Sequence, residues 1–305
     1  AVLLEPTDAG LADAASRLRA GECVAFPTET VYGLGAHALE KDAVVNIFKY
    51  KGRPASDPLI VHVLSVADSH PLLDLDDAGL AVFDKFASTF WPGPLTLVAK
   101  AAAVVPPEIT AGTGFVGVRS PAHPIARGLL AAAAGMPVAA PSANRFCHVS
   151  PTRAAHVMAD LGACPIAVVN GEADGTGDTC GVGIESTVIK IDADAREVFV
   201  FRRGGVPLAA LEATTAAVGA LSGSTTSFSA PPPPLQTREA LQAPGQMVTH
   251  YAPDGVVGYL VPAGHADIGG ASPVSLPVST SIVLDFGGGL AALKPAALQY
   301  SDMSA

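Results

Sequence analysis

Glu22-Cys23-Val24-Ala25-Phe26 is a short apolar run. It is followed by Pro27-Thr28-Glu29-Thr30-Val31-Tyr32, by Gly33-Leu34-Gly35, and then by a stretch with helical spacing from Lys41 to Tyr50. The run reads as a buried strand because it is brief, apolar and bounded by turn formers. The same alternation extends outward on both sides. Pro58–Leu64, Leu95–Lys100, Phe115–Val118, Pro137–Ala140, Ile166–Val169, Ser186–Ile191 and Val198–Phe201 read as strands. Asp8–Ala20, Asp76–Phe86, Pro124–Ala134, Thr152–Leu161 and Pro207–Val218 read as helices, the first with Thr7 as its cap. Alternation of this kind predicts an α/β fold, with a twisted open sheet that is mixed or mostly parallel and carries helices.

The texture changes after Leu221. Ser222–Ala230 is rich in serine, threonine and glycine, and Pro231–Pro234 is a run of four prolines. Three parts are therefore expected: a first domain over 1–221, a linker or lid-like functional loop over 222–254, and a small C-terminal α/β domain over 255–305. Val256–Val261 and Ser281–Asp285 read as strands of that last part.

The chain has 305 residues, ample for a core without a metal or disulfide staple. Its 18 basic and 28 acidic residues leave a formal charge of −10, which argues against a general nucleic-acid binder held by phosphate contacts. The four cysteines form no Cys-x-x-Cys pair, so a disulfide framework and a zinc site are poorly supported. With no long uncharged apolar run and no signal-like N-terminus, the expectation is a cytoplasmic protein that does not enter a membrane.

No P-loop, Gly-x-Ser-x-Gly elbow or His-Glu-x-x-His occurs. Gly33-Leu34-Gly35-Ala36-His37-Ala38 matches a dinucleotide fingerprint only loosely, since Pro27–Tyr32 separates it from the strand. A tight glycine turn is the plainer reading. The polar loop Thr28–Tyr32 follows a strand end, where α/β sheets bind ligands. Lys51 and Arg53, in Lys51-Gly52-Arg53-Pro54, leave a helix end together and could converge on one anion as exposed cations. His62 lies in an apolar strand. Arg119-Ser120-Pro121, Pro141-Ser142-Ala143-Asn144, Glu185-Ser186-Thr187 and Arg202-Arg203-Gly204 also sit at strand margins. Each cluster alone suits an ordinary loop. Together, without a metal ligand set or a nucleophile–base pair, they suit charge stabilisation of a polyphosphate.

Taken in order, Pro27–Leu34, Lys51-Gly52-Arg53-Pro54 with Pro58-Leu59, Arg119-x-Pro121, Pro141–Asn144 and Glu185-Ser186-Thr187-Val188 closely resemble the YrdC-like family of L-threonylcarbamoyladenylate synthases. Pro244-Gly245 with His250-Tyr251-x-Pro253, and Leu284–Gly288, resemble its long, two-domain branch. The resemblance implies that L-threonine, bicarbonate and ATP give threonylcarbamoyl-AMP and pyrophosphate, for modification of transfer-RNA adenosine 37. Downstream threonylcarbamoyl-transfer machinery would be the partner, and direct tRNA binding is not required. It places Thr28, Thr30, Tyr32, His62 and Arg119 on the threonine or carbamate. Lys51, Arg53, Ser142, Asn144, Ser186, Arg202, His250 and Tyr251 go to the nucleotide, with Lys51, Arg53 and Arg119 catalytic and Mg2+ arriving with ATP. Two departures stand out: Arg145-Phe146-Cys147-His148 replaces the family's Ser-Gly continuation, and the second domain is expected to be incomplete. A carbamoyltransferase module and an RNA-binding protein remain as alternatives.

Overall fold

A computed structural model describes residues 1–172, 180–192, 197–222, 227–229, 282–285 and 299–302. The chain divides into two units, 1–254 and 255–305. In the first unit the strands are β1 (Val2–Leu4), β2 (Cys23–Phe26), β3 (Gly33–His37), β4 (Ile60–His62), β5 (Leu95–Lys100), β6 (Phe115–Arg119), β7 (Val138–Ala139), β8 (Ile166–Val169), β9 (Thr187–Asp192), β10 (Glu197–Arg202) and β11 (Ser227–Ser229). Its helices are α1 (Asp8–Arg19), α2 (Lys41–Lys51), α3 (Val66–Ser69), α4 (Asp77–Phe90), α5 (Pro107–Thr110), α6 (Pro124–Ala132), α7 (Ala154–Leu161) and α8 (Leu208–Ser222). In the second unit, β12 (Ile282–Asp285) and β13 (Gln299–Asp302) pair in parallel.

The strands of the first unit form one mixed sheet in the order β1-β8-β2-β3-β7-β4-β6-β5-β9-β10-β11. Helices cover both faces, which is why β2, β4 and β8 are buried along their whole length. On one face α1 and α6 pack Ala14, Ala15, Leu18, Ala126 and Leu129 against Val24, Phe26 and Val169. On the other, Val44, Ile47 and Phe48 of α2, Phe83 and Phe86 of α4, Val157 of α7 and Leu211 of α8 enter the larger core. The Thr7 cap is present, its hydroxyl accepting from the Gly10 amide at 3.2 Å. Gly52, at φ 63°, ends α2 in the left-handed conformation.

Two expectations need correction. Gly33–His37 is a strand, not a glycine turn. A Cβ on Gly35 would sit 2.8 Å from the Phe26 ring and 2.9 Å from Val138, so glycine there lets β3 lie close to its neighbours. The Ser222–Ala230 stretch is not wholly irregular. α8 runs to Ser222, and Ser227–Ser229 adds an edge strand parallel to β10. Three residues carry too little periodicity to be found by pattern.

Two features position the site. β4 is only three residues long, and the loop after β2 crosses over to the end of β6, where Glu29 and Thr30 meet Arg119. β5 and β9 run opposite to β6, so the start of β9 and the end of β6 lie at one end of the sheet on either side of β5, with Leu95 opposite Thr187 and Leu97 opposite Val118.

Candidate active site

The crossing loop, the end of β6, the loop after β7, the start of β9 and the end of β10 line one cleft. Thr28, Thr30, Tyr32, Arg53, His62, Arg119, Ser142, Ser186 and Arg202 all line it, drawn from seven separate stretches of sequence. Lys51 and Asn144 do not. His250 and Tyr251, with most of the expected lid, lie outside the described residues.

The crossing loop is held by its own hydroxyls. Thr28 Oγ1 donates to the Val31 carbonyl at 2.6 Å and lies 2.9 Å from Thr30 Oγ1. Arg119 fixes the loop from below. Its Nη1 donates to Thr30 Oγ1 at 2.9 Å, and its Nε to the Gly93 carbonyl at 3.3 Å. Arg119 Nη2 is 2.7 Å from Glu29 Oε1, an ion pair whose atoms are not aligned for a hydrogen bond. Tyr32 is fully buried, and its hydroxyl serves the loop after β8, donating to the Val169 carbonyl and accepting from the Gly171 amide at 2.8 Å.

His62 faces Arg119 across the β4–β6 register. Burial, and then the Arg119 charge, push its imidazole down to about 3, so it is neutral. Its Nδ1 is buried without a hydrogen-bond partner.

The second half of the cleft is cationic. Arg53 donates through Nη2 to the Pro58 carbonyl at 2.9 Å and pairs with Asp57 Oδ1 at 2.9 Å. Burial raises the Asp57 carboxyl above its ordinary value, opposed by Arg53 and then Lys51. Arg202 donates to the Ser186 carbonyl at 3.0 Å and to Ser186 Oγ at 3.1 Å, and lies 3.7 Å from Glu185. Thr96 Oγ1, 2.8 Å away, completes the Ser186 contacts.

Lys51 and Arg53 are not exposed cations. They are 3% and 7% exposed, because the last turn of α2 packs against the loop after β7. The Lys51 ammonium donates to the carbonyls of Ser142 and Asn144, more than ninety residues on in sequence. Burial and the Arg53 charge bring it down to about 7.

Sequence reasoning left Glu29, Asp57 and Glu185 without a role, yet each is the carboxylate on one of the cleft's arginines. Asp57 stands four residues from Arg53, a spacing that flags a charge pair on a helix; Gly52 and Pro54 removed the helix and with it the signal. As for magnesium, no three His, Cys, Asp or Glu side chains cluster as a cage among the described residues. Glu29 and Glu185 already face arginines. The donor set therefore fits a cation carried by phosphates and water.

The Sua5/YciO/YrdC family model, described as Telomere recombination, matches residues 16–204. The chain belongs to this family. It is 39% identical over 251 residues to threonylcarbamoyl-AMP synthase of Bacillus subtilis, covering 82% of this chain and 66% of that protein. It is 40% identical to the enzyme of the same name from Pyrococcus abyssi, covering 80% of this chain and 66% of the relative. The chain thus spans about two thirds of the length of these relatives. The crystal structure of P. abyssi Sua5 complexed with L-threonine superposes with a TM-score of 0.69 at 36% identity, over 83% of this chain and 68% of that one. These likenesses agree with the expected YrdC-like α/β fold. No helix among the described residues is long and apolar enough to cross a membrane.

Proposed function

We propose that this protein is a transferase of the nucleotidyl class that makes threonylcarbamoyl-AMP from L-threonine, bicarbonate and ATP, releasing pyrophosphate. The observation that carries the reading is a single cleft with two chemically distinct halves. Arg119, Thr28, Thr30 and neutral His62 form a small polar nest suited to an amino acid. Arg53, Arg202, Ser142 and Ser186 form a cationic wall suited to phosphates. The threonine-bound P. abyssi structure supports the first half, and the synthase names of the relatives support the whole.

In this reading the threonine amine and bicarbonate form a carbamate and water. A carbamate oxygen attacks the α-phosphorus, and the bond to the pyrophosphate oxygen breaks. No enzyme nucleophile is needed. Arg119 holds the amino-acid carboxylate, while Thr28, Thr30, Tyr32 and His62 shape its pocket. Arg53 and Arg202 neutralise charge growing on the phosphates, and Ser142 and Ser186 orient them. Lys51 and Asn144 act from behind, setting the Ser142 carbonyl loop. Magnesium, when bound with the nucleotide, neutralises phosphate charge. The product is a reactive mixed anhydride, so a threonylcarbamoyl transfer onto tRNA adenosine must consume it, in the cytoplasm.

Pyrophosphate release from ATP by the full chain, with and without threonine and bicarbonate, tests this. Dependence on both, together with a threonine-containing AMP adduct, is expected. Equal release without threonine would overturn it.

A further inference from the structure

The strap from Ser142 to His148 begins at Ser142, which lines the nucleotide half of the cleft, and it is held from two sides. From α2, the Lys51 ammonium takes the carbonyls of Ser142 and Asn144, and the Lys51 carbonyl accepts from the Phe146 amide at 2.7 Å. From α7, one carboxylate spans the turn. Asp160 Oδ2 accepts from the Arg145 amide at 2.6 Å, and Asp160 Oδ1 lies 2.9 Å from His148 Nδ1. The Asp160 carbonyl accepts from Arg145 Nε at 3.3 Å. Inside this turn the Asn144 amide nitrogen donates to the carbonyls of Arg145 and His148 at 2.8 and 2.7 Å, which leaves its Oδ1 buried and without a partner. The turn is strained: Cys147 sits at φ 70°, a conformation unfavourable for a non-glycine residue.

Asp160 occupies an electrostatically poor position for a helix. It is in the last turn of α7, where backbone carbonyls already concentrate negative charge, and no basic residue in that turn offsets it. Helix stability does not explain a carboxylate there; the strap does. We propose that Asp160 is a positioning residue for the nucleotide half of the cleft, acting through the Arg145–His148 turn to fix Asn144 and Ser142. The proposal rests on the nucleotide reading of that half. Asp160 makes no contact with the threonine half and does not line the cleft. Its charge also favours the ammonium form of Lys51, so the two holds on the strap reinforce each other.

Titration of ATP–Mg2+ into the full chain by calorimetry, and separately of L-threonine, provides the test. Asp160→Ala frees both ends of the turn, and its ATP dissociation constant is expected to rise about tenfold, the size of one charge-assisted hydrogen bond. Its threonine dissociation constant should stay within about twofold of wild type, a margin of roughly 0.4 kcal/mol. Asp160→Asn can still accept from the Arg145 amide and donate to His148 Nδ1, so it should recover most of the ATP affinity. Unchanged ATP binding in D160A, or parallel loss of ATP and threonine binding in both variants, overturns the positioning role. Wild-type protein that binds threonine but no ATP overturns the nucleotide reading itself, and this proposal with it.

Discussion

Arg53→Ala separates a buried pair from a surface one. The side chains of Arg53 and Asp57 are 4% and 1% exposed, and neither Asp57 carboxylate oxygen has a hydrogen bond to fall back on. Removing a solvated cation changes stability by less than about 1 kcal/mol. Removing one partner of a buried pair leaves the other charge uncompensated and costs about 3–5 kcal/mol. Urea unfolding of the full chain at neutral pH should therefore show Arg53→Ala destabilised in the larger range. Asp57→Asn in the Arg53→Ala background should recover much of the loss, because it removes the stranded charge. The pH dependence follows from the sign of the Asp57 shift. Burial raises its folded-state pKa, so the folded state holds the proton more tightly than the unfolded chain. Its contribution is fully present below the ordinary carboxylate value and is lost as pH rises through the folded value. Arg53 is the first force opposing that shift, so its removal raises the folded value further. The destabilisation of Arg53→Ala should shrink as pH falls toward 4. A loss below about 1 kcal/mol at pH 7, or one that grows toward acid, refutes the reasoning.

Lys51 titrates in the opposite sense. Its folded-state value of about 7 lies below the ordinary 10.5, so between those values the unfolded chain binds more protons and stability rises with pH. The stability of wild type relative to Lys51→Met should increase between pH 7 and 10, and a difference that stays flat counts against the buried ammonium. His62, at about 3, should show ring proton shifts by NMR that are constant from pH 5 to 8, assigned with His62→Gln. A midpoint near 6.5 would mean that the cleft is wetter than its geometry implies.

Much of the fold was legible because its signals are local. Thr7 caps α1 through a contact three residues away, and the apolar runs of β2, β5 and β8 fall within a residue of their expected bounds. β3 was not legible, since two of its five residues are glycines, which signal turns; what explains them is close neighbours across the sheet, Phe26 and Val138 at Gly35 and Ala140 at Gly33. The site divides in the same way. Residue types at strand margins pointed to Arg119, Arg202 and the cleft's threonines and serines, because ligand-facing loops concentrate polar groups there, while Arg53 was read from a helix end. What Lys51 touches was not legible. Its partners are the backbone carbonyls of Ser142 and Asn144, and carbonyls carry no signature in the side-chain alphabet.

A cation kept dry is a stronger stabiliser of developing phosphate charge than one in water, but a dry cation needs a counter-charge while the site is empty. The cleft meets both demands. Each of its three arginines lies against one carboxylate: Arg119 at 2.7 Å from Glu29, Arg53 at 2.9 Å from Asp57 and Arg202 at 3.7 Å from Glu185. That pairing explains how a chain of net charge −10 can keep a cationic cleft at all. The acidic excess does not oppose the cations there; part of it holds them in place. It also orders the pairs by how readily an incoming anion could displace the carboxylate. Asp57 is the most deeply buried of the three and Glu185 the farthest from its arginine. Under the proposed function, an incoming triphosphate would therefore gain most at Arg202 and disturb the fold least there, whereas Arg53 is held by the protein before any ligand arrives.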